Sequence, residues 1–233
     1  MGVDRYRVCE LYASGPDVEN SGSGYRLSDR LVLTARHVIA PATSGVGGRV
    51  LVRPLGAPGW LPAQVDWDDV NTDAALIRVE DENWRAPSEE SALRWGNLTG
   101  SEPVPCAAVG FPWASARPDR MRDTAHVYGQ LAPLGQLRQG RLDMDVASAS
   151  PSTRAGSSPW AGISGAGVIA DNHLVGMITA DHARYHDRLV VVPVSRLIGE
   201  PGFRELLESH GISAVTAPVG AGSELRQLSL AGS

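Results

Sequence analysis

Pro159-Trp160-Ala161-Gly162-Ile163-Ser164-Gly165-Ala166-Gly167 sets one serine among small residues, and apolar stretches follow it, Val168-Ile169-Ala170 and then Leu174-Val175-Gly176-Met177-Ile178. A hydroxyl on a Gly-rich turn, with bare backbone N–H groups beside it, is what acyl-transfer chemistry needs. Glycine lets the backbone approach a substrate carbonyl closely and take conformations closed to other residues. Read alone, the run is equally an ordinary turn, because glycine and serine are common turn residues.

Two upstream segments supply possible partners. In the first, the polar turn Ser28-Asp29-Arg30 leads into Leu31-Val32-Leu33, and the strand ends in Thr34-Ala35-Arg36-His37-Val38. In the second, Asn71-Thr72-Asp73 stands just before the apolar run Ala74-Ala75-Leu76-Ile77-Arg78-Val79. The order is therefore His, Asp, Ser: a base, an orienting carboxylate and a nucleophile. Each residue also has a plain reading. His37 alone is a surface or satisfied core histidine, and Asp73 alone is a turn cap. Asp66, Asp68 and Asp69 are rival carboxylates, read here as a solvated turn around Trp67 because none directly precedes an apolar strand.

Composition points to an all-β domain. The 233 residues can bury about 70% of their unfolded surface. Gly 26 and Pro 16 imply many turns. The apolar runs are short and β-branched: Val50-Leu51-Val52, Val104 to Val109, and Leu189-Val190-Val191-Val192. A net charge of −5 gives no basic footprint and reads against nucleic-acid binding. No run of 18 apolar residues is present, which reads against a membrane span. Met1 to Arg7 lacks the apolar centre of a signal peptide. The two cysteines, Cys9 and Cys106, read as free and buried in strands, which fits a reducing, cytoplasmic compartment.

The chain resembles the chymotrypsin-like (trypsin-fold) serine peptidases, particularly the compact bacterial members without disulfides. Thr34-Ala35-Arg36-His37 resembles the histidine motif, Asp73-Ala74-Ala75-Leu76 the aspartate motif and Gly162-Ile163-Ser164-Gly165 the serine motif. The likeness runs from about Tyr6 to Leu197. It implies two six-stranded antiparallel β-barrels with a short C-terminal helix. Residues 1–85 then form a barrel carrying His37 and Asp73, 86–97 a connector, 98–200 a barrel carrying Ser164, 201–211 a helix, and 212–233 a flexible tail or a linker. The helix is independently legible in Phe203 to Gly211, which has helical spacing and a glycine stop. Other serine-hydrolase designs fit worse: the α/β-hydrolase order puts serine first, and about 70 residues follow Ser164. The subtilisin order puts aspartate before histidine.

The resemblance makes Ser164 the nucleophile, His37 the general base and Asp73 its orienter, with the Gly162 and Ser164 N–H groups as the oxyanion hole. An imidazole with its ordinary pKa of about 6.5 implies activity rising through neutral pH. It places Ser158 near the base of the primary side-chain pocket, and Thr179-Ala180-Asp181 along its wall. Without an acid at 158, a strong Arg or Lys preference is not supported. Asp181 offers a basic preference from the pocket edge, and a small or apolar preference is the alternative. Substrates are protein or peptide chains. No cofactor or metal is expected. His182 and His186 have zinc-like spacing but read as a hairpin loop.

Four residues depart from the family. Ile163 stands where animal digestive members carry an aspartate that pairs with a newly cut N-terminal amine, so activation is expected not to need N-terminal cleavage. Ala166-Gly167 replaces Gly-Pro. Arg36 adds a charge beside His37. Two other functions stay open: a protease silent until a partner orders its oxyanion turn, and a catalytically dead binding module. Further domains or a regulatory partner C-terminal to residue 233 are compatible with the sequence.

Overall fold

The computed structural model describes residues 2–81, 84–85, 92–117, 121–148, 158–181 and 187–220. Its first half is a closed barrel of β1 (Val8–Ser14), β2 (Glu19–Arg26), β3 (Leu31–Ala35), β4 (Arg49–Pro54), β5 (Leu61–Asp69) and β6 (Ala74–Val79), joined in the order β1-β2-β3-β6-β5-β4. The turn before β3 closes through Leu27 N–H on the Leu31 carbonyl (2.8 Å), with Ser28 Oγ accepting from Leu31 N–H (3.3 Å). All five residues of β3 are buried, because the strand is covered on both faces. β4 alternates instead, with Val50 and Val52 turned inward. A short helix, α1 (Arg36–Thr43), follows β3 without a break and packs Val38 and Ile39 onto the barrel. β2 (Glu-Asn-Ser-Gly-Ser-Gly-Tyr-Arg) carries almost no apolar side chain, yet its last six residues are buried.

The second half contains β7 (Trp95–Leu98), β8 (Val104–Gly110), β9 (Ala125–Ala132), β10 (Leu142–Val146), β11 (Gly167–Ala170), β12 (His173–Asp181) and β13 (Arg188–Pro193). β11 pairs with both β8 and β12, which closes a six-stranded antiparallel ring β8-β9-β10-β13-β12-β11. β7 lies outside that ring, parallel to β12. Helices α2 (Val194–Gly199) and α3 (Pro201–Ser209) then return to the first barrel. Phe203 of α3 meets Trp67 edge-on at 5.3 Å and Trp95 at 6.5 Å. Gly211 stops the helix at φ +69.

Each barrel has its own core. Cys9 and Cys106 are buried, one in each, with no disulfide between them, and burial pushes the Cys106 thiol up to about 12. Three readings of the sequence need correction. Asp66, Asp68 and Asp69 lie on β5, not in a turn, because the bulged β5–β6 pairing continues to Asp69↔Ala74. Trp95, Gly96 and Asn97, assigned to the connector, begin β7. Within the segment assigned to a tail, Thr216–Val219 forms β14, which pairs parallel with β7. Residues 86–91 of the connector, 221–233 of the tail, and both His182 and His186 lie outside the described residues.

Candidate active site

The β3–β6 pairing puts Ala35 opposite Ala74, so α1 begins where β6 is entered. Asp73 occupies the left-handed region at φ +54, which a short polar side chain tolerates better than most. Its carbonyl accepts Arg36 N–H at 2.9 Å. One carboxylate oxygen accepts His37 backbone N–H at 3.0 Å, and the other faces His37 Nδ1 at 2.8 Å. A carboxylate at Nδ1 keeps the proton there and leaves Nε2 as a free base. The three neighbouring acids are engaged elsewhere. Asp66 binds Arg78, Asp68 pairs with Arg36, and Asp69 accepts both Thr72 N–H and Thr72 Oγ1 at 2.7 Å. The charge at Arg36 is thus taken up by Asp68.

Ser164 sits in a tight turn between β10 and β11. Gly162 and Gly165 both have φ +95. A side-chain carbon at Gly165 would collide with the Ser23 carbonyl oxygen, and one at Gly162 would lie 2.7 Å from the Phe111 carbonyl oxygen. Both positions therefore require glycine on conformation and on space. Ile163 is fully buried in the second core and donates N–H to Trp160 O at 3.0 Å.

The orientation of this turn is set by its carbonyls. Trp113 N–H donates to Ala161 O at 2.7 Å, and Ser23 Oγ donates to Gly162 O at 2.9 Å. Ala166 N–H donates to Ile163 O at 3.0 Å. In a trans peptide the C=O and the following N–H point in opposite directions. Fixing Ala161 O and Ile163 O therefore turns the Gly162 and Ser164 N–H groups the other way. Neither amide has a hydrogen-bond partner among the described residues.

β2 brings the serine to the histidine. Ser23 N–H donates to Ser164 O at 2.8 Å. A side-chain carbon at Gly22 would touch both the Val38 methyls (2.5 and 2.7 Å) and Ser164 O (3.0 Å), so the residue after His37 and the serine are close neighbours. The serine hydroxyl itself donates to Thr179 O at 3.2 Å. No hydrogen bond joins it to His37 among the described residues.

The residues assigned to a side-chain pocket divide. Ser158 Oγ donates to Asp181 Oδ2 at 2.7 Å and accepts Trp160 N–H at 3.1 Å. Asp181 Oδ1 is buried without a hydrogen-bond partner among the described residues. The Thr179 hydroxyl instead faces Arg141 Nη1 (3.1 Å), while Ala180 is exposed. Arg141 also donates to Asn71 O at 3.2 Å, tying the Asp73 turn to β12, and burial with the nearby Arg196 charge pushes its pKa down. Sequence reading did not pick out Ser23, Arg122 or Arg141. Nothing in their local pattern distinguishes them, because each acts on a segment far along the chain. Among the described residues no cluster of His, Cys, Asp and Glu could hold a metal ion.

Residues 22–177 match the trypsin-like peptidase domain. No curated protein matches the chain. Solved structures share the fold at low identity. The serine endoprotease from Yersinia pestis is 18% identical with a TM-score of 0.61, over 87% of this chain and 64% of that one. The Rv3671c protease from M. tuberculosis in its active form is 14% identical with a TM-score of 0.62, over 94% and 86%. The HtrA-type protease AlgW with tripeptide is 18% identical with a TM-score of 0.63, over 90% and 62%. The chain thus spans less than two thirds of the length of two of these proteins.

Proposed function

The chain belongs to the trypsin-like peptidase domain family of serine endopeptidases, and on that premise we propose that Ser164, His37 and Asp73 form its catalytic triad and that protein or peptide chains are its substrates. The observation that carries this reading is the Asp73 carboxylate, which grips both the backbone N–H and the imidazole Nδ1 of His37. That grip selects one tautomer and stabilises the imidazolium that forms during turnover.

In the proposed cycle the Ser164 hydroxyl leaves Thr179 O by rotation about χ1 and gives its proton to His37 Nε2 as Oγ attacks the scissile carbonyl. The resulting oxyanion lies against the Gly162 and Ser164 N–H groups. One such donor contributes about 3 kcal/mol to the transition state. His37 then returns the proton to the leaving amine. A water, deprotonated by the same imidazole, hydrolyses the acyl-enzyme and releases the serine.

Asp181 supports a primary pocket for a side chain that bears hydrogen-bond donors, arginine or lysine. One carboxylate oxygen is taken by Ser158 and the other has no partner among the described residues. The buried apolar Ile163 supports a turn assembled without N-terminal cleavage. A second reading, a protease silent until a partner acts, has one observation in its favour: the hydroxyl is bonded to Thr179 rather than to His37. The bonded state of the turn speaks against the disordered-turn form of that idea.

A fluorophosphonate probe tests the assignment. Covalent labelling of Ser164 in the wild type, abolished in Ser164→Ala and strongly slowed in His37→Ala, is expected. Absence of labelling at every pH from 6 to 9 sinks it, and labelling that appears only on adding unfolded protein favours the second reading.

A further inference from the structure

Beneath the Ser164 turn lies a buried ion pair that the triad does not use. Glu10 of β1 and Arg122, which precedes β9, are 3% and 5% exposed. Arg122 Nε donates to Glu10 Oε1 at 2.8 Å. The other Glu10 oxygen accepts from Arg53. Arg122 Nη1 donates to Phe111 O at 2.7 Å and Nη2 to Gly22 O at 3.2 Å. Its guanidinium stands 5.1 Å from the centre of the Trp113 ring. All three of its nitrogens are thus engaged, in a place where an unpaired charge is strongly destabilising.

What this cation touches is what holds the turn. Phe111 has its carbonyl on Arg122 and its N–H on Ser23 Oγ (2.9 Å), and that same hydroxyl donates to Gly162 O. Trp113, two residues on, donates to Ala161 O. The guanidinium also lies against the open side of Gly162: a side-chain carbon there would sit 2.8 Å from Arg122 Nη1. A peptide plane that turns over would swing Ala161 O away from Trp113 and carry the Gly162 N–H with it.

We propose that Arg122, neutralised by Glu10, is the positioning residue of the oxyanion turn: it fixes the Phe111–Trp113 segment so that the Ala161–Gly162 peptide presents its N–H to the substrate carbonyl. The inference rests on Ser164 being the nucleophile. It assigns to an internal ion pair the bracing of the turn. Because Glu10 belongs to the first barrel and the turn to the second, the brace also sets the two halves of the site against each other.

The test compares wild type with Arg122→Met, Arg122→Lys and Glu10→Gln in the full chain, each first checked for folding by thermal melting. Arg122→Met is expected to lower kcat on a peptide substrate by about 100-fold or more, the effect of losing an oxyanion donor, with KM within threefold. Arg122→Lys keeps the charge but not the fork and falls in between. Amide hydrogen exchange over residues 160–166 is expected to quicken at least tenfold in Arg122→Met, with β8 and β13 unchanged. A folded variant at Arg122 with wild-type exchange in the turn overturns the proposal, as does one with kcat within threefold of wild type. If Arg122→Met does not fold, Arg122→Lys and Glu10→Gln are read by the same two criteria. Failure of the wild type to label with the fluorophosphonate would instead remove the catalytic reading, while the exchange measurement still decides the brace.

Discussion

Asp73 holds His37 with both carboxylate oxygens, and its backbone makes that possible. At φ +54 it turns its side chain back over the first turn of α1. Asp73→Asn keeps an oxygen for the backbone N–H but presents an NH₂ to Nδ1 and favours the other tautomer. A drop in kcat of about 10⁴-fold with an unchanged melting temperature is the expected result. Steady-state kinetics on a peptide substrate measure it, and a loss below tenfold removes Asp73 from the triad. Asp181 carries a different expectation. A hydrogen bond between charged groups contributes about 1.5–3 kcal/mol, so Asp181→Asn should reduce kcat/KM for arginine- and lysine-containing peptides about 10- to 100-fold. Peptides with small apolar residues at the same place should be cut at the wild-type rate. A library profile that does not change assigns the pocket to other groups. The three residues proposed as the triad could be picked out from the sequence because each sits where an apolar strand meets polar punctuation. The Ser158–Asp181 hydrogen bond was not, since it joins a turn and a strand end 23 residues apart.

The Ser164 turn and its neighbours show why single elements tolerate so little change. Gly165 and Gly47 both have positive φ, +95 and +86, but only the first is enclosed. Alanine at either incurs the left-handed penalty of about 1–2 kcal/mol. At Gly165 it also drives a carbon into the Ser23 carbonyl oxygen. Gly47→Ala should therefore lower the melting temperature by a few degrees and leave labelling of Ser164 intact, whereas Gly165→Ala should lower it further and abolish labelling. Equal effects would mean that the turn relaxes more freely than its contacts imply. The turn that delivers Asp73 makes a pH-dependent contribution. Burial raises the pKa of Asp69, but its bonds from Thr72 and Asn71 outweigh that and leave it lowered. A lowered folded pKa contributes stability that is present above the unfolded value of about 3.9 and lost as pH falls through the folded one. Melting curves of wild type and Asp69→Asn should differ at pH 6, and the gap should narrow as the pH falls below the unfolded carboxylate value. A gap that stays constant with pH assigns the effect to packing instead. Strands with apolar runs could be read from their pattern, as β4, β8 and β13 were. β2 could not: Gly22 and Ser23 are buried because the Ser164 turn packs on them, and Gly24 because Leu11 and Val32 close over it, which are properties of the partners and not of the strand.

At the scale of the molecule, the order His, Asp, Ser between short apolar strands made the two-barrel fold legible, but not the ties between barrels. Glu10 and Arg122 are 112 residues apart, and Arg141 reaches across 70 to Asn71. A charged residue in an exposed-looking segment carries no local sign of such a partner. The same holds for β14, whose Thr-Ala-Pro-Val is too short to show a period. Its contacts nevertheless predict a real contribution. Val219 is fully buried in the second core, Thr99 N–H donates to its carbonyl at 2.8 Å, and Ser213 O receives the Trp95 indole N–H at 3.0 Å. Burying one valine contributes about 1.5–3 kcal/mol, and an orphaned buried donor costs about 1–3 kcal/mol. In a chain of this size each kcal/mol moves the melting temperature by about 2–4 °C. Ending the chain after Gly211 should thus lower the melting temperature by about 10 °C. Among the described residues β14 pairs only with β7, outside the closed ring β8-β9-β10-β13-β12-β11. Labelling of Ser164 by the fluorophosphonate, measured well below the new melting point, should therefore proceed at the wild-type rate. An unchanged melting temperature would return residues 212–219 to the status of a tail, and a loss of labelling with the fold intact would show that β7 and β14 support the site through β12.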